Sequence, residues 1–229
     1  MRGRTLTDIV QSVWFEANRA DSPQANASAY NRTVHMINRV QRMLYEGYDW
    51  RFLKHHVEKQ LMAGERFYDF PDEIDRERVT NVFLNQNDGR PWLKLCRGIT
   101  PAHYHTCNSL RDERRDPAER WDLRDVDGVT QFEIWPVPQT RSYTVLIEGL
   151  RPLKRLVEPG DFSALDGDVI ALYVAAELLG EKGGAAKAAL AASKLAAMQS
   201  NDAVAPEPFS LNGGSRERLS GINIEYIPG

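Results

Sequence analysis

His103, His105 and Cys107 stand two residues apart in the stretch TPAHYHTC, and imidazole nitrogen and thiolate sulfur are the donors that hold zinc. On a strand that spacing would turn all three to one face. Thr100, however, suits a helix cap and Pro101 a first helical position, so the stretch predicts a short helix on which the three side chains diverge. No second cluster of Cys or Asp ligands follows. His55 and His56 are adjacent and would face opposite sides of a strand. Cys107 as a nucleophile would need a base, and no local signature supplies one. Asp161, Asp166 and Asp168 gather near a helix start, where capping and the helix dipole account for them. Glu177, set among apolar residues, is the acid best placed for burial. A phosphate-cradling G-x-x-x-x-G-K-S/T loop, a G-x-S-x-G elbow and an H-E-x-x-H helix are all missing. No catalytic, cofactor-binding or metal-ligating residue is assigned, no cofactor is expected, and the expectation is a protein that is not an enzyme. A metal-dependent hydrolase built on His103, His105 and Cys107 is the alternative.

The composition narrows the remaining classes. A chain of 229 residues, 42% of them hydrophobic, is long enough to bury a core. Its 29 Lys and Arg against 32 Asp and Glu leave a formal charge of −3, which offers no net basic field for gripping nucleic acid. Two cysteines, Cys96 and Cys107, make no disulfide framework and point to a reducing compartment. No apolar run approaches the roughly 20 residues of a membrane span, and MRGRTLTD lacks a signal-peptide core, so a soluble protein is expected.

Helical periodicity frames both ends of the chain. Leu6, Ile9, Val10, Val13, Trp14 and Ala17 recur at helical spacing, with Thr5 as cap and Asp8 near the positive end of the dipole. A second stripe of Tyr30, Val34, Ile37, Val40 and Leu44 runs to Gly47, expected to close the helix in a left-handed conformation. Arg32, Arg39 and Arg42 lie off that stripe, on a solvated face or a docking face. Near the other end, Asp166 or Asp168 caps a run with Val169, Ile170, Leu172, Tyr173, Ala176 and Leu179, ended by Gly180. The Ala-rich AAKAALAASKLAAMQS then predicts the second arm of an antiparallel helical hairpin, its small side chains allowing close approach by another helix.

Between these helices the period changes to two. Val57 to Leu61 and Arg66 to Phe70 flank MAGE as a predicted hairpin. Val79 to Leu84 and Trp92 to Cys96 flank a strong Asp88-Gly89 turn signal as a second. Gln131 to Trp135 and Tyr143 to Glu148 form a third pair. Pro71 lacks a ladder donor, so the strand ending YDFP stops there or lies on an edge. Tyr68 and Phe70 share the face better suited to packing on helices. Residues 111 to 125 carry five Arg against six acids and no aliphatic stripe, which predicts a protruding loop with Trp121 as a possible anchor. The expected fold class is α+β: a helical bundle of two N-terminal helices plus a C-terminal helical hairpin (1–49 and 160–200), an inserted antiparallel β module (50–159), and an extended C-terminal tail (201–229). Candidate interface residues are Arg39, Arg42, Arg114, Arg115, Arg120, Trp121, Phe209 and Tyr226.

The order of these pieces resembles one family. YEGYDWRF closes the second helix, YDFP ends a strand at Tyr68 to Pro71, FEIWPVP runs from Phe132 to Pro138 before a strand opening at Tyr143 to Val145, and an Ala-rich hairpin follows. This is similar to the head-to-tail adaptor proteins of tailed bacteriophages, the group that includes tail tubular protein A and the head-completion or tail accessory factors. The likeness covers most of residues 1 to 200. It implies a structural virion protein, assembled in the host cytoplasm, that forms a homo-oligomeric ring of about twelve subunits between the portal protein and tail or nozzle proteins. Double-stranded DNA would pass through the lumen without specific binding, for which mild acidity is suited. A virion-associated hydrolase, metal-dependent or peptidoglycan-degrading, is the alternative within the same particle. Whether the C-terminal tail meets the portal or a neighbouring subunit is left open.

Overall fold

Helix α1 (Leu6–Glu16) begins where Thr5 and Asp8 form a reciprocal capping box, and it buries Leu6, Ile9, Val10, Val13 and Trp14. Helix α2 (Ala27–Glu46) starts from an Asn26 cap and buries Ile37, Val40 and Leu44 of the expected stripe, together with Met36 and Tyr45. The computed structural model describes residues 2–19, 26–87, 89–140, 142–181 and 183–203. Gly47 does not take the left-handed form expected of it: at φ −77° its amide simply donates to the Met43 carbonyl. Helix α4 (Gly167–Leu179) starts where the Asp166 carboxylate accepts from the amides of Asp168 and Val169, and it ends at Gly180. Helix α5 (Gly184–Ala203) then folds back along α4, so close that a Cβ on Gly184 would stand 2.4 Å from the Ala176 carbonyl oxygen. One core holds α1, α2 and α4 with Trp50, Leu150 and Leu156, and Leu195 and Met198 of α5 pack against it.

The middle of the chain forms eight strands in two sheets. Strands β1 (Lys54–Leu61), β8 (Tyr143–Leu150), β3 (Val79–Asn85) and β4 (Leu93–Lys94) lie in that order in one sheet, all antiparallel. Strands β2 (Phe67–Asp69), β7 (Val129–Trp135), β6 (Arg120–Val126) and β5 (Cys96–Arg97) make the other, with β5 parallel to β6. A second apolar core of Leu61, Tyr68, Val82, Leu84, Phe132, Ile134, Val145 and Ile147 draws on both sheets, the signature of a sandwich. The molecule is therefore mixed α+β, with five α-helices, α3 (Pro101–Thr106) being the shortest, and two four-stranded sheets among the described residues.

Pairing departs from the expected hairpins. β3 and β4 do pair, through Phe83 with Lys94 and Leu84 with Leu93. β1 and β2 do not: Gly64, at φ +86°, turns the chain from one sheet into the other, and β1 finds β8 some ninety positions away. Nor do β7 and β8 pair, since they belong to opposite sheets. The expected loop at 111 to 125 is half strand. β6 runs through it and joins β7 across Asp127-Gly128, both at positive φ, as a tight hairpin requires. Tyr68 faces the sandwich rather than the helices, with its hydroxyl bonded to the Met62 and Glu65 carbonyls and to the Met62 amide. Burial pushes its ionisation up to about 12. β2 ends before Pro71 and is an edge strand, as its sequence implied.

Candidate assembly surfaces

The residues with the strongest chemical appearance are absorbed by local structure. Thr100 and Pro101 start α3 as expected, and the His103 ring accepts from the Thr100 amide at 2.9 Å and lies 5.1 Å from the Trp135 ring. His105 is exposed, while Cys107 is buried beside Ile99 and Trp135, which pushes its thiol above the usual range. The three side chains diverge, and among the described residues no three His, Cys, Asp or Glu side chains gather around a common point. The His55 and His56 rings on β1 lie 6.1 Å apart and tilted, without stacking. Asp161 collects the amides of Val157 and Glu158 and the Lys154 ammonium, and Lys154 above all holds its carboxyl down to about 2. Glu177 is exposed and paired with Arg39.

Among the described residues one acid is fully buried, and no sequence signal singled it out. Glu133 on β7 lies on the outer face of its sheet with no exposed surface. Its carboxylate accepts from Arg66 at 2.6 and 2.8 Å, from Arg124 at 2.7 Å and from the Tyr104 hydroxyl at 2.8 Å. Burial, then the contact with Glu133, raises the Tyr104 hydroxyl's pKa, while the hydrogen bond to Glu133 raises that of Arg124. Arg66 enters from beside β2, Arg124 from β6 and Tyr104 from α3, so this one acid ties the short helix to its sheet. Its two oxygens already accept four bonds, which is the satisfied state a buried carboxylate needs.

Of the candidate interface residues, Trp121 is corrected. It is 3% exposed, stacked on Phe132 in the sandwich core, because β6 is a strand and its alternation turns position 121 inward. Arg120 points the other way and donates to the Gly98 carbonyl. Arg114 pairs with Asp112, and Arg115 pairs with Glu119 at 2.8 Å over the Trp135 ring. Beside them Asp116 accepts from the amides of Gln139 and Thr140 and the hydroxyls of Thr140 and Tyr143. Burial pushes its carboxyl up, but these bonds outweigh it and hold the carboxyl below the ordinary range. Phe209 and Tyr226 lie outside the described residues.

Arg39 and Arg42 stand on the rim of a cleft of about 1100 Å³. One wall is α2 with residues 152 to 155 laid along it, fastened by the Gln41 amide to the Lys154 carbonyl at 2.9 Å and by Asn38 to Leu156. The other wall is the segment from Asp69 to Arg76 with the β6–β7 turn. A different surface is presented by α5. Each of its three charged residues reaches into its own chain: Lys187 to Glu16, Lys194 to Asp168, and Asp202 to the Arg51 amide. The exposed face left behind carries Ala185, Ala189, Leu190, Ala192 and Ala196, uncharged and flanked by the half-exposed Lys194, on a helix about 30 Å long. Leu190 is 51% exposed there, and Phe15 on α1, next to the Glu16 that holds Lys187, is 81% exposed.

A family model described as SU10 adaptor protein matches residues 4–211. The chain belongs to the SU10 adaptor protein family. This is a phage head-to-tail adaptor family, so the chain is a structural virion component whose work is to contact other head and tail proteins. No curated protein matches the sequence. In the adaptor, among the described residues, no helix is long and apolar enough to cross a membrane. The features that matter for such a role are surfaces, and the bare α5 face was legible only as an Ala-rich helix until the partners of its lysines were known.

Proposed function

We propose that copies of the adaptor close into a ring, of about twelve subunits, that sits between the portal protein and the tail or nozzle proteins and passes double-stranded DNA through its lumen. In this reading residues 1–49 and 160–200 act as one helical bundle, 50–159 as a β module projecting from it, and 201–229 as a tail. The protein acts by fitting surfaces together and carries out no reaction. It is assembled in the host cytoplasm.

The observation that carries the reading is the α5 face. A monomer gains nothing from pairing every charge of a 20-residue helix within its own chain while leaving alanines and Leu190 in water. A ring does, because a heterologous contact requires a patch on one subunit that meets a different patch on the next. Small side chains let a second helix approach closely, and the lack of charge spares the contact a desolvation cost. The net charge of −3 suits a conduit, since each cation paired to phosphate would slow sliding.

The test is mass measurement with and without purified portal particles. The unaltered adaptor is expected to form a closed ring on the portal. Ala189→Glu with Ala196→Glu, two exposed positions whose effect on the fold is within about 0.5 kcal/mol, is expected to remain a folded monomer that never closes. Unimpaired rings from the double variant would remove α5 from the interface.

A further inference from the structure

Among the described residues of the β module, Leu110 is the most exposed large apolar side chain, at 66%. It sits on a single 3-10 turn (Ser109–Arg111) whose shape is fixed locally. The Asn108 side chain accepts from the Leu110 amide at 3.1 Å, the Asn108 carbonyl accepts from the amides of Arg111 and Glu113, and the Glu113 carboxylate accepts from the Asn108 amide at 2.6 Å. Asp112, at φ +61°, then turns the chain back. The tip Leu110-Arg111-Asp112 offers an apolar group, a cation and an anion in a row, all three exposed. Arg111 has no ion pair among the described residues, and Asp112 holds Arg114. A leucine kept in water on a pre-formed turn gives up little conformational freedom when a partner covers it.

The cleft beside α2 carries the matching set of groups. Val129 and Leu153 give it apolar surface. Asp69 and Asp72 stand exposed on one wall, and Arg42 and Arg155 on the other, all four without an ion pair among the described residues. An acidic wall speaks against DNA as the occupant, since phosphate would face two carboxylates. Tip and cleft also belong to opposite ends of the sandwich. Val129 opens β7 in the cleft, while Trp135 closes it beside the tip, where its indole donates to the Cys107 carbonyl and the Arg115 amide donates to the Val137 carbonyl. The length of β7 between them is about 20 Å at roughly 3.3 Å per residue, so no chain can seat its own tip. A second copy can.

We propose that the Leu110 tip of one copy seats in the cleft of the next, with Leu110 between Val129 and Leu153, Arg111 against Asp69 and Asp72, and Asp112 toward Arg42 and Arg155. The contact is heterologous, one patch meeting a different one, and such contacts repeat in one direction only. It rests on the reading of the adaptor as a ring, and adds to the α5 face a second pair of patches that fixes the order in which copies follow each other.

Chemical trapping on the full chain tests the seat, with Cys96→Ser throughout and the buried Cys107 left in place. Copies bearing Arg111→Cys are mixed with copies bearing Asp72→Cys on portal particles and treated with a short bis-maleimide. Covalent dimers of one copy of each kind are expected, about tenfold above a mixture in which Thr80→Cys, exposed on β3, replaces Asp72→Cys. Adding Leu110→Glu to the Arg111→Cys copies is expected to lower the yield about tenfold, because a carboxylate would enter the apolar part of the cleft beside two others. All of these positions are exposed, so folding is retained. A yield no higher than the Thr80→Cys control, or one that Leu110→Glu leaves unmoved, would overturn the seat even where mass measurement finds closed rings. Dimers trapped as expected while the unaltered adaptor forms no ring would uphold the seat and remove the ring.

Discussion

The two halves of the adaptor handle charge in opposite ways. In the sandwich half a carboxylate is taken out of water altogether: Glu133 is inaccessible and holds Arg66, Arg124 and Tyr104 around it. In the helical half the charges stay at the surface, as Arg39 with Glu177 and Lys187 with Glu16 do, and on α5 the pairing leaves one helix face uncharged. The difference teaches where each kind of ion pair matters. A buried charge is worth little more than an apolar side chain while its partners are present, yet removing one partner strands the others. A surface pair contributes little either way, and its arrangement can be given over to shaping a contact.

That contrast is open to attack in three steps of decreasing size. Glu133→Ala leaves two guanidinium groups facing each other across a cavity, and urea unfolding is expected to show a loss of about 3–5 kcal/mol; a loss below 1 kcal/mol would mean the acid is better solvated than its position allows. Acid titration comes next. Asp116 and Asp161 are both held below their ordinary range, so the stability they add is present above the unfolded carboxyl value of 3.8 and disappears as pH falls through the folded value, about 2 for Asp161. Asp116→Asn is expected to flatten that part of the pH profile, because it removes the anion that ties the 139–143 loop to residue 116. Lys187→Ala is the smallest, expected to cost about 0.2–1 kcal/mol, with thermal unfolding as the check. A larger value would show that the helical half also relies on its ion pairs for stability.

Much of the helical half was legible in advance, and the reason is locality. The stripe from Leu6 to Ala17, the Thr5 cap, the Asp166 cap and the Gly180 stop all concern residues within four positions of each other, and a helix satisfies its hydrogen bonds inside the same span. The sandwich was less so. Strand character was readable at β1, β2, β3, β4, β7 and β8, and so was the β3–β4 hairpin, but the other pairings were not, because β1 joins β8 and β2 joins β7 across the whole module. β6 was hidden by its own charges: Asp122 and Arg124 look like loop residues until Glu133 and the Ile99 amide appear beside them. The Asp127-Gly128 turn signal was in the sequence all along, between two alternating runs, and marks the hairpin that the charge density concealed.

By itself the sequence determined the order of the helices, the caps at Thr5 and Thr100, the strand stop at Pro71, the absence of a familiar catalytic motif and the family resemblance, since each depends on spacing along the chain. Only the tertiary structure decided that the β module is two sheets rather than one, that Trp121 is core, that Glu133 is the buried acid, and that the α5 lysines turn away from the face they share a helix with. Those outcomes rest on partners dozens of positions distant, and whether a side chain is buried or a charge satisfied is a property of what arrives beside it.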